Sequence, residues 1–553
     1  MHWETTAWLQ LLVVVAILSA LHVPLGNYMA QVYTSENHWQ IERFIYRIAG
    51  VNPDREQSWI WYLASVLAFS AVSVLGLLAL LIGQAHLPQP WGHEGMTPLL
   101  ALNTAVSFVT NTSWQNYAGE STLGHVGLAA GLGVQAFASA AVGMAVAIAL
   151  SRGIARRETA ELGNFWVDLV RGIVRILLPI AIFLAIVLGA LGVVESFGAA
   201  RSIVTVAHGS QALPIGPVAS WEPIKLMSGD GGGAFGANSA HPFENPTALS
   251  NVVEIVAMLL IPMSLVRTYG IMVGDRRQGW ALLAVVIALF GMGTAAVGML
   301  ESMPHDTVAT AVGASAEGTE LRFGVPGSAL FGQAATATAD GAANSSYDSF
   351  ASLGGSVLMA NMMLGEVSPG GAGSGLYGLV IIALLAVFLG GLMIGRTPEY
   401  LGKRLGPREM KLVSLTVLTA PCAVLTGVAI AIAVPAGPKS MGNSGTHGLS
   451  ELLYAFTSCV AGNGSAFAGF NGNTPGFNLA LAAAMLVGRY VPMILVLALA
   501  ASFAGQRTRA INSGTLDTST LSFAGLMIGA VLIVVGLEYL PALALGPITE
   551  SLS

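Results

Sequence analysis

Four short polar runs interrupt strongly apolar stretches of this sequence. They are Val109-Thr110-Asn111-Thr112, Ser228-Gly229-Asp230-Gly231-Gly232-Gly233, Ala339-Asp340-Gly341 and Ala461-Gly462-Asn463-Gly464. Each sets Asn or Asp before Gly or Thr, and these Asn and Asp residues are 119, 110 and 123 positions apart. The chemistry that suits such turns is coordination of a dehydrated cation. Glycine reaches backbone conformations closed to residues with a Cβ, so successive carbonyls can all face one axis, where rings of carbonyls replace the ion's water. One Asn-Gly or Asp-Gly is an ordinary turn dipeptide. Four at near-equal spacing between apolar segments predict a four-sided filter.

A bilayer must position these turns. Of 553 residues, 54% are hydrophobic and 9% are Asp, Glu, Lys or Arg, against roughly 25% charged in soluble domains. Lipid is therefore the solvent for most of the chain. The net charge of −6 and the lack of a basic tract argue against a nucleic-acid partner. Cys422 and Cys459 read as apolar helix or pore-helix residues; nothing in their spacing suggests a disulfide, which stays an open alternative. The first apolar stretch precedes Tyr28-Met29-Ala30 rather than a signal cleavage site and is expected to remain as a span.

A spanning helix needs ~20 mostly apolar residues. Ten segments qualify: 7–26, 58–84, 125–150, 166–195, 248–268, 278–300, 376–395, 411–434, 477–503 and 520–546. Each polar turn falls in one of the longer connections. Lys and Arg mark the cytoplasmic side; 19 of the 23 fall in loops or helix ends opposite the turns, and only Arg201, Lys225, Arg322 and Lys439 fall on the turn side. Both termini and all four turns are therefore expected outside. Before each turn lies room for a half-helix: Leu99 to Phe108, Glu222 to Met227, Gly327 to Ala337 and Leu449 to Val460. Each would aim about half a negative charge at the turn, which favours a cation. Irregular backbone at membrane depth must be buried or line a wet cavity.

The expected fold is an all-α polytopic membrane protein of about ten transmembrane helices, with four pseudo-repeats of helix–re-entrant pore loop–helix around a central cation filter. One transmembrane domain covers 1–553: an extra first span and cytoplasmic loop at 1–57, repeats at 58–150, 166–268, 278–395 and 411–503, and an extra last span at 520–546.

Longer motifs carry a resemblance. Thr110-Asn111-Thr112-Ser113-Trp114-Gln115-Asn116-Tyr117, Gly231-Gly232-Gly233 with Ala237-Asn238-Ser239-Ala240-His241-Pro242-Phe243-Glu244-Asn245-Pro246, and Gly274-Asp275-Arg276-Arg277-Gln278-Gly279-Trp280 are three of them. Others are Leu364-Gly365-Glu366-Val367, Gly373-Ser374-Gly375-Leu376-Tyr377-Gly378 and Gly395-Arg396-Thr397-Pro398-Glu399-Tyr400. From Pro24 to about Ala504 the chain resembles the KdpA family, the potassium-binding subunits of Kdp-type potassium-pumping ATPases. The resemblance implies a fold like the Trk and Ktr potassium transporters, K+ as the transported ion and a bacterial plasma (inner) membrane. It also implies a P-type ATPase catalytic subunit as partner, with two small accessory subunits.

It further implies a potassium filter of Val109, Thr110, Asn111, Thr112, Gly229, Asp230, Gly231, Ala339, Asp340, Gly341, Gly462, Asn463 and Gly464. Gln115 would lie near the pore, or simply cap its turn. Glu366, in a glycine-rich stretch with Gly370 and Gly371, would belong to a gating loop, or cap a broken helix. Arg396 and Arg489 suffice as positive-inside anchors; the resemblance implies instead a fixed charge below the filter, with Arg489, deep in an apolar run, the stronger candidate. The sequence departs from the family pattern where Gly229-Asp230 replaces Thr-Asn, Ala339-Asp340 replaces Ser-Asn, and Gly462 replaces Asn. Asp230 and Asp340 either face the pore and tighten cation binding, or point behind it and accept N–H bonds; the second is expected.

No ATP chemistry is expected in this chain. Gly231 to Gly236 formally matches a dinucleotide fingerprint, but such a motif needs a strand before it and a soluble domain around it. No Walker Lys-Ser/Thr run follows a glycine loop, and no Asp-Lys-Thr-Gly run occurs. His241 has no partner at metal-ligand spacing and is expected to be structural. A tenfold uphill step costs ~1.4 kcal/mol and 100 mV returns about 2.3 kcal/mol per charge, so scavenging from dilute medium needs an outside energy source. The alternative is a stand-alone channel or secondary transporter of the same superfamily.

Overall fold

The computed structural model describes residues 2–88, 93–198, 200–206, 208–303, 316–395, 398–508 and 516–552. Ten helices among them are long and apolar enough to cross a membrane. With the shorter helices between them, the order is α1 (Trp8–Thr34), α2 (Trp59–His86), α3 (Pro98–Val109), α4 (Gly127–Ala155), α5 (Phe165–Ala190), α6 (Val218–Ser228), α7 (Ala248–Met272) and α8 (Arg276–Glu301). There follow α9 (Gly324–Ala337), α10 (Ser352–Met363), α11 (Ser374–Met393), α12 (Pro407–Ala433), α13 (Gly445–Ala461), α14 (Pro475–Ala504) and α15 (Leu521–Ile548).

Local signals set these ends. Proline opens α3, α12 and α14, where its missing N–H costs nothing. Thr247, Asp275, Thr474 and Thr520 cap α7, α8, α14 and α15 by accepting first-turn N–H groups. The helix α1 runs past the predicted end at residue 26. Gly26 lets it press against α7, where a Cβ would lie 2.7 Å from the Ser264 carbonyl oxygen. Asn27 and the Gly26 carbonyl find partners there in Arg267 (3.1 Å) and Thr268 (3.0 Å), so the polar continuation stays satisfied.

Burial sorts the spans. The most apolar stretches of α4 and α7 are 89% and 83% buried, whereas those of α2 and α12 are only 22% buried. The inner pair therefore lies within the helical assembly, and the outer pair lies at its periphery. The alanines of α4 from Ala136 to Ala149, with Gly143 among them, permit that close packing.

Two of the elements that were not anticipated stand out. One is an exposed hairpin, β1 (Arg201–Val204) with β2 (Ser210–Leu213). The other is α10, separated from α11 by residues 364–373, so the helical path after the third turn is broken where the glycine-rich stretch lies.

The chain's last residues are clamped to α13. The His447 imidazole bridges two carboxylates, Nε2 to Asp348 at 2.9 Å and Nδ1 to Glu550 at 2.8 Å. The Asp348 hydrogen bond, helped by Glu550, raises its pKa from 6.5 to about 9. A raised histidine pKa means that this stabilisation is complete below about pH 6.5 and is lost as pH rises through about 9. Moving the purified protein across that window should lower its melting temperature by roughly 1–2 °C. His447→Gln should flatten the dependence; an unchanged slope in that variant contradicts the clamp.

Candidate cation-binding site

The four short helices α3, α6, α9 and α13 each end at one of the polar turns. Two of these ends explain departures from the resembled pattern. Gly229 (φ 59°) and Gly462 (φ 86°) terminate α6 and α13 in the left-handed conformation, which glycine adopts freely. Ala339 occupies the same region at φ 59°, at a cost of about 1–2 kcal/mol. In the first turn the left-handed residue is Asn111 (φ 62°), a type that tolerates it.

The turns meet in a closed ring. Asn111 Nδ2 donates to the Gly229 carbonyl at 2.6 Å, joining turns one and two. A Cβ on Gly231 would lie 2.1 Å from the Gly341 nitrogen, one on Gly341 2.7 Å from the Asn463 oxygen, and one on Gly464 1.8 Å from the Thr112 oxygen. Turn two thus abuts three, three abuts four, and four abuts one. Only glycine fits these three positions.

Backbone hydrogen bonds give the ring its polarity. The N–H groups point back into the short helices: Thr112 to Ser107 O at 3.0 Å, Gly231 to Lys225 O at 3.2 Å, Asp340 to Ala335 O at 3.1 Å and Asn463 to Ser458 O at 2.9 Å. Among the described residues no hydrogen bond reaches the carbonyls of Asn111, Thr112, Asp230, Gly231, Asp340, Gly341, Asn463 or Gly464. A ring of buried carbonyls with no internal donor is built to accept from something else, and a bare cation is the ligand that such oxygens suit.

The side chains of the turns divide. Asn463 Oδ1 accepts the Ser465 N–H (3.0 Å), and Asp340 Oδ1 accepts the Ala342 N–H in the same way (2.9 Å). Asp340 therefore points behind the ring, as expected. Asp230 does not follow it: its fully buried carboxylate lies toward Ser113, without a well-formed hydrogen bond to a described residue and close enough to Asp340 and Arg489 to feel their charge. Thr110 and Thr112 share a hydroxyl contact at 2.9 Å, and Val109 is the buried last residue of α3.

On one side of the ring opens a vestibule of about 550 Å³, lined by residues that follow the turns, among them Ser113, Gln115, Gly232, Ala343 and Ser465. Gln115 is bonded to the second turn rather than capping its own. It lines this vestibule and also accepts the Gly233 N–H at 2.8 Å. On the other side lies the 364–373 loop. Gly370 N–H donates to Ala337 O at 2.8 Å, and a Cβ on Gly371 would be 3.0 Å from that of Ala339. Glu366, buried in this loop, accepts from Asn463 Nδ2 at 3.2 Å; it is tied to the fourth turn rather than capping a helix end. Arg489, 8% exposed in the middle of α14, donates to Ser139 O at 2.9 Å and lies 3.0 Å from a Cβ built on Gly143, itself against Ala372 of the loop. Arg396 lies outside the described residues.

Two further placements bear on the sequence expectations. His241 stacks on Phe235 at 4.0 Å and accepts the Phe243 N–H, a structural role. Cys422 and Cys459 are free thiols, one exposed and one buried. Sequence reading gave no role to Asn238, Glu244 and Lys225, which brace the second turn from behind; the first two stood only within a resembling motif, and Lys225 only on the wrong side of the charge bias.

Comparison with known proteins identifies the family. Residues 12–552 match the family model of KdpA, the potassium-transporting ATPase A subunit. The potassium-binding subunit of the potassium-transporting ATPase from Mycobacterium sp. (strain KMS) is 54% identical over 97% of both chains. That from Mycolicibacterium paratuberculosis is 54% identical over 99% of this chain and 100% of its own length, and that from Streptomyces coelicolor 52% over 99% and 98%. The potassium transporter TrkH from Vibrio parahaemolyticus shares the fold at a TM-score of 0.54, with 14% identity over 80% of this chain and 85% of its own. The chain belongs to the KdpA family of potassium-transporting ATPase A subunits.

Proposed function

We propose that this chain binds potassium at the ring of four turns and delivers it to a partner P-type ATPase subunit for ATP-driven uptake. The carbonyls of Thr112, Gly231, Gly341 and Gly464, with those of Asn111, Asp230, Asp340 and Asn463 beside them, are the ligands. Thr110, Gly229, Ala339 and Gly462 set the backbone turn, and Val109 anchors it. The observation that carries this reading is the division of the ring backbone, with amides turned into the short helices and carbonyls left without donors. Four pseudo-repeats of helix, re-entrant loop and helix surround the ring, and four helix C-termini add negative potential there.

The ring faces outside, with both termini on that side. In support, basic side chains gather away from the vestibule: Arg152 with Asp168 (2.6 Å), Arg507 with Glu158 (2.6 Å), and Lys403 with the Arg156 and Phe503 carbonyls. Potassium enters through the vestibule past Gln115, is stripped of water in the ring, and meets the 364–373 loop with Glu366, Gly370 and Gly371. Arg489 bars the straight exit, and the ion is diverted to the ATPase subunit, which two small subunits accompany. Arg396 is assigned to the same cytoplasmic barrier from the resemblance alone.

The decisive preparation is the assembled complex, with ATP hydrolysis measured across potassium, rubidium, caesium and sodium. Potassium stimulation at the lowest concentration is expected. Potassium flux through the lone chain in liposomes, with no stimulation of any partner, would favour the stand-alone transporter instead.

The two carboxylates should separate in the same assay. Asp340→Asn keeps an oxygen for the Ala342 N–H and should change half-saturation by less than about threefold. Asp230→Asn removes a buried carboxyl group that has no well-formed hydrogen bond to a described residue, and should raise the potassium requirement more than Asp340→Asn does, by roughly tenfold. Equal, negligible effects in both variants exclude a role for the carboxylates.

A further inference from the structure

We propose that Lys225 is a positioning residue for ion selection, fixing through Asn238 and Glu244 the point at which the free carbonyls of the second turn end. This rests on the ring being the potassium filter. Lys225 lies on α6 and is fully buried. Its Nζ donates to three acceptors, Glu244 Oε2 at 2.7 Å, Asn238 Oδ1 at 2.9 Å and Ser239 Oγ at 3.0 Å, and is ion-paired with Glu222 Oε2 at 3.1 Å. A buried ammonium is tolerated only when paired and fully hydrogen-bonded, and this set does both. Glu254 of α7 adds a third buried carboxylate close enough to interact with it.

Both ends of the residue act on the turn. Its carbonyl accepts from Ser228 Oγ at 3.0 Å and from the Asp230 and Gly231 N–H groups at 3.3 and 3.2 Å. Its ammonium holds two side chains that reach the next segment. Asn238 Nδ2 donates to the Gly232 carbonyl at 2.7 Å, and Glu244 Oε1 accepts the Phe235 N–H at 2.8 Å. Asn238 Oδ1 also accepts the Ala343 N–H, at 3.3 Å, just past the third turn. The Gly231 carbonyl is therefore left free while that of Gly232 is tied back. The number of carbonyls facing an ion is one determinant of discrimination between potassium and sodium. Losing the ammonium loosens Asn238, lets the Gly232 carbonyl turn to the axis, and leaves Glu222 and Glu244 without their counter-charge.

The test uses the assembled complex and half-saturating concentrations of potassium, rubidium and sodium for ATP hydrolysis. Lys225→Met should lower the ratio of sodium to potassium half-saturation roughly tenfold, with a smaller effect on the maximal rate. Lys225→Arg, which keeps the charge, should restore most of the ratio. Asn238→Gly deletes the bond to Gly232 O and keeps the φ of 53° found there comfortable. It should reproduce the lost discrimination, and it decides the matter if Lys225→Met does not assemble. Unchanged ion ratios in Asn238→Gly, or in an assembled Lys225→Met, overturn the proposal. Gly464→Ala in the same series separates the two readings. If that variant keeps the normal ion response, the ring itself is not the filter. If it loses the response while the Lys225 and Asn238 variants keep their ratios, only the positioning role falls.

Discussion

Replacing Gly464 with alanine should abolish potassium-stimulated ATP hydrolysis by the assembled complex, while the same change at Gly462 leaves most of it. The two glycines stand two residues apart in one turn, and both have positive φ, 99° and 86°. Strain in the left-handed region costs either alanine about 1–2 kcal/mol. Space distinguishes them. A Cβ at 462 meets nothing nearer than the Asn111 oxygen at 3.6 Å, an ordinary contact. One at 464 would sit 1.8 Å from the Thr112 carbonyl oxygen, a backbone atom of the neighbouring turn. Turn one or turn four must move, and the carbonyls that move with it are proposed ligands. A ring distortion costing more than ~3 kcal/mol of ion binding raises the potassium requirement beyond about a hundredfold. Potassium titration of the two purified variants checks this; similar titration curves for both contradict a ring held together by that contact.

Arg489→Gln should make the complex leak. Arg489 is buried among α4, α14 and the 364–373 loop, on the face of the ring opposite the vestibule. At an effective dielectric of ~20, two unit charges ~8 Å apart repel by roughly 2 kcal/mol. Removing that barrier speeds passage about thirtyfold. Potassium-loaded liposomes carrying the Gln variant should therefore lose the ion without ATP, while Arg489→Lys, keeping the charge, stays tight. The partners argue for a dedicated charge: the guanidinium donates to one backbone carbonyl, Ser139 O, and forms no ion pair within 4.0 Å among the described residues. A tight Gln variant would reduce Arg489 to a packing residue.

Much of this was legible in the chain because the bilayer imposes a simple rule. Apolar length locates spans, and all ten predicted segments coincide with helices. The short helices were legible as stretches leading into the polar turns, two of them closed by glycine. Ring closure was not. Gly464 and Thr112 lie 352 positions apart, and no local pattern announces that a Cβ between them has no room. The α10 helix was hidden because Ser352–Met363 is too short for a span and carries no polar face. Lys225 was legible only as an exception to the charge bias. Its neutralising partners are three and nineteen residues away, the nearer on its own helix and the other reached only through the fold. Asp340 followed the expectation that it would imitate asparagine, because a nearby N–H awaited its oxygen; Asp230 had no such donor.

The most direct test is to locate the ion. Crystals of the assembled complex grown with rubidium, whose anomalous scattering marks its position, should show a peak on the axis of the ring, in contact with the carbonyls of Thr112, Gly231, Gly341 and Gly464. A bound rubidium elsewhere in the chain, with none at the ring, would contradict a filter made of these four turns.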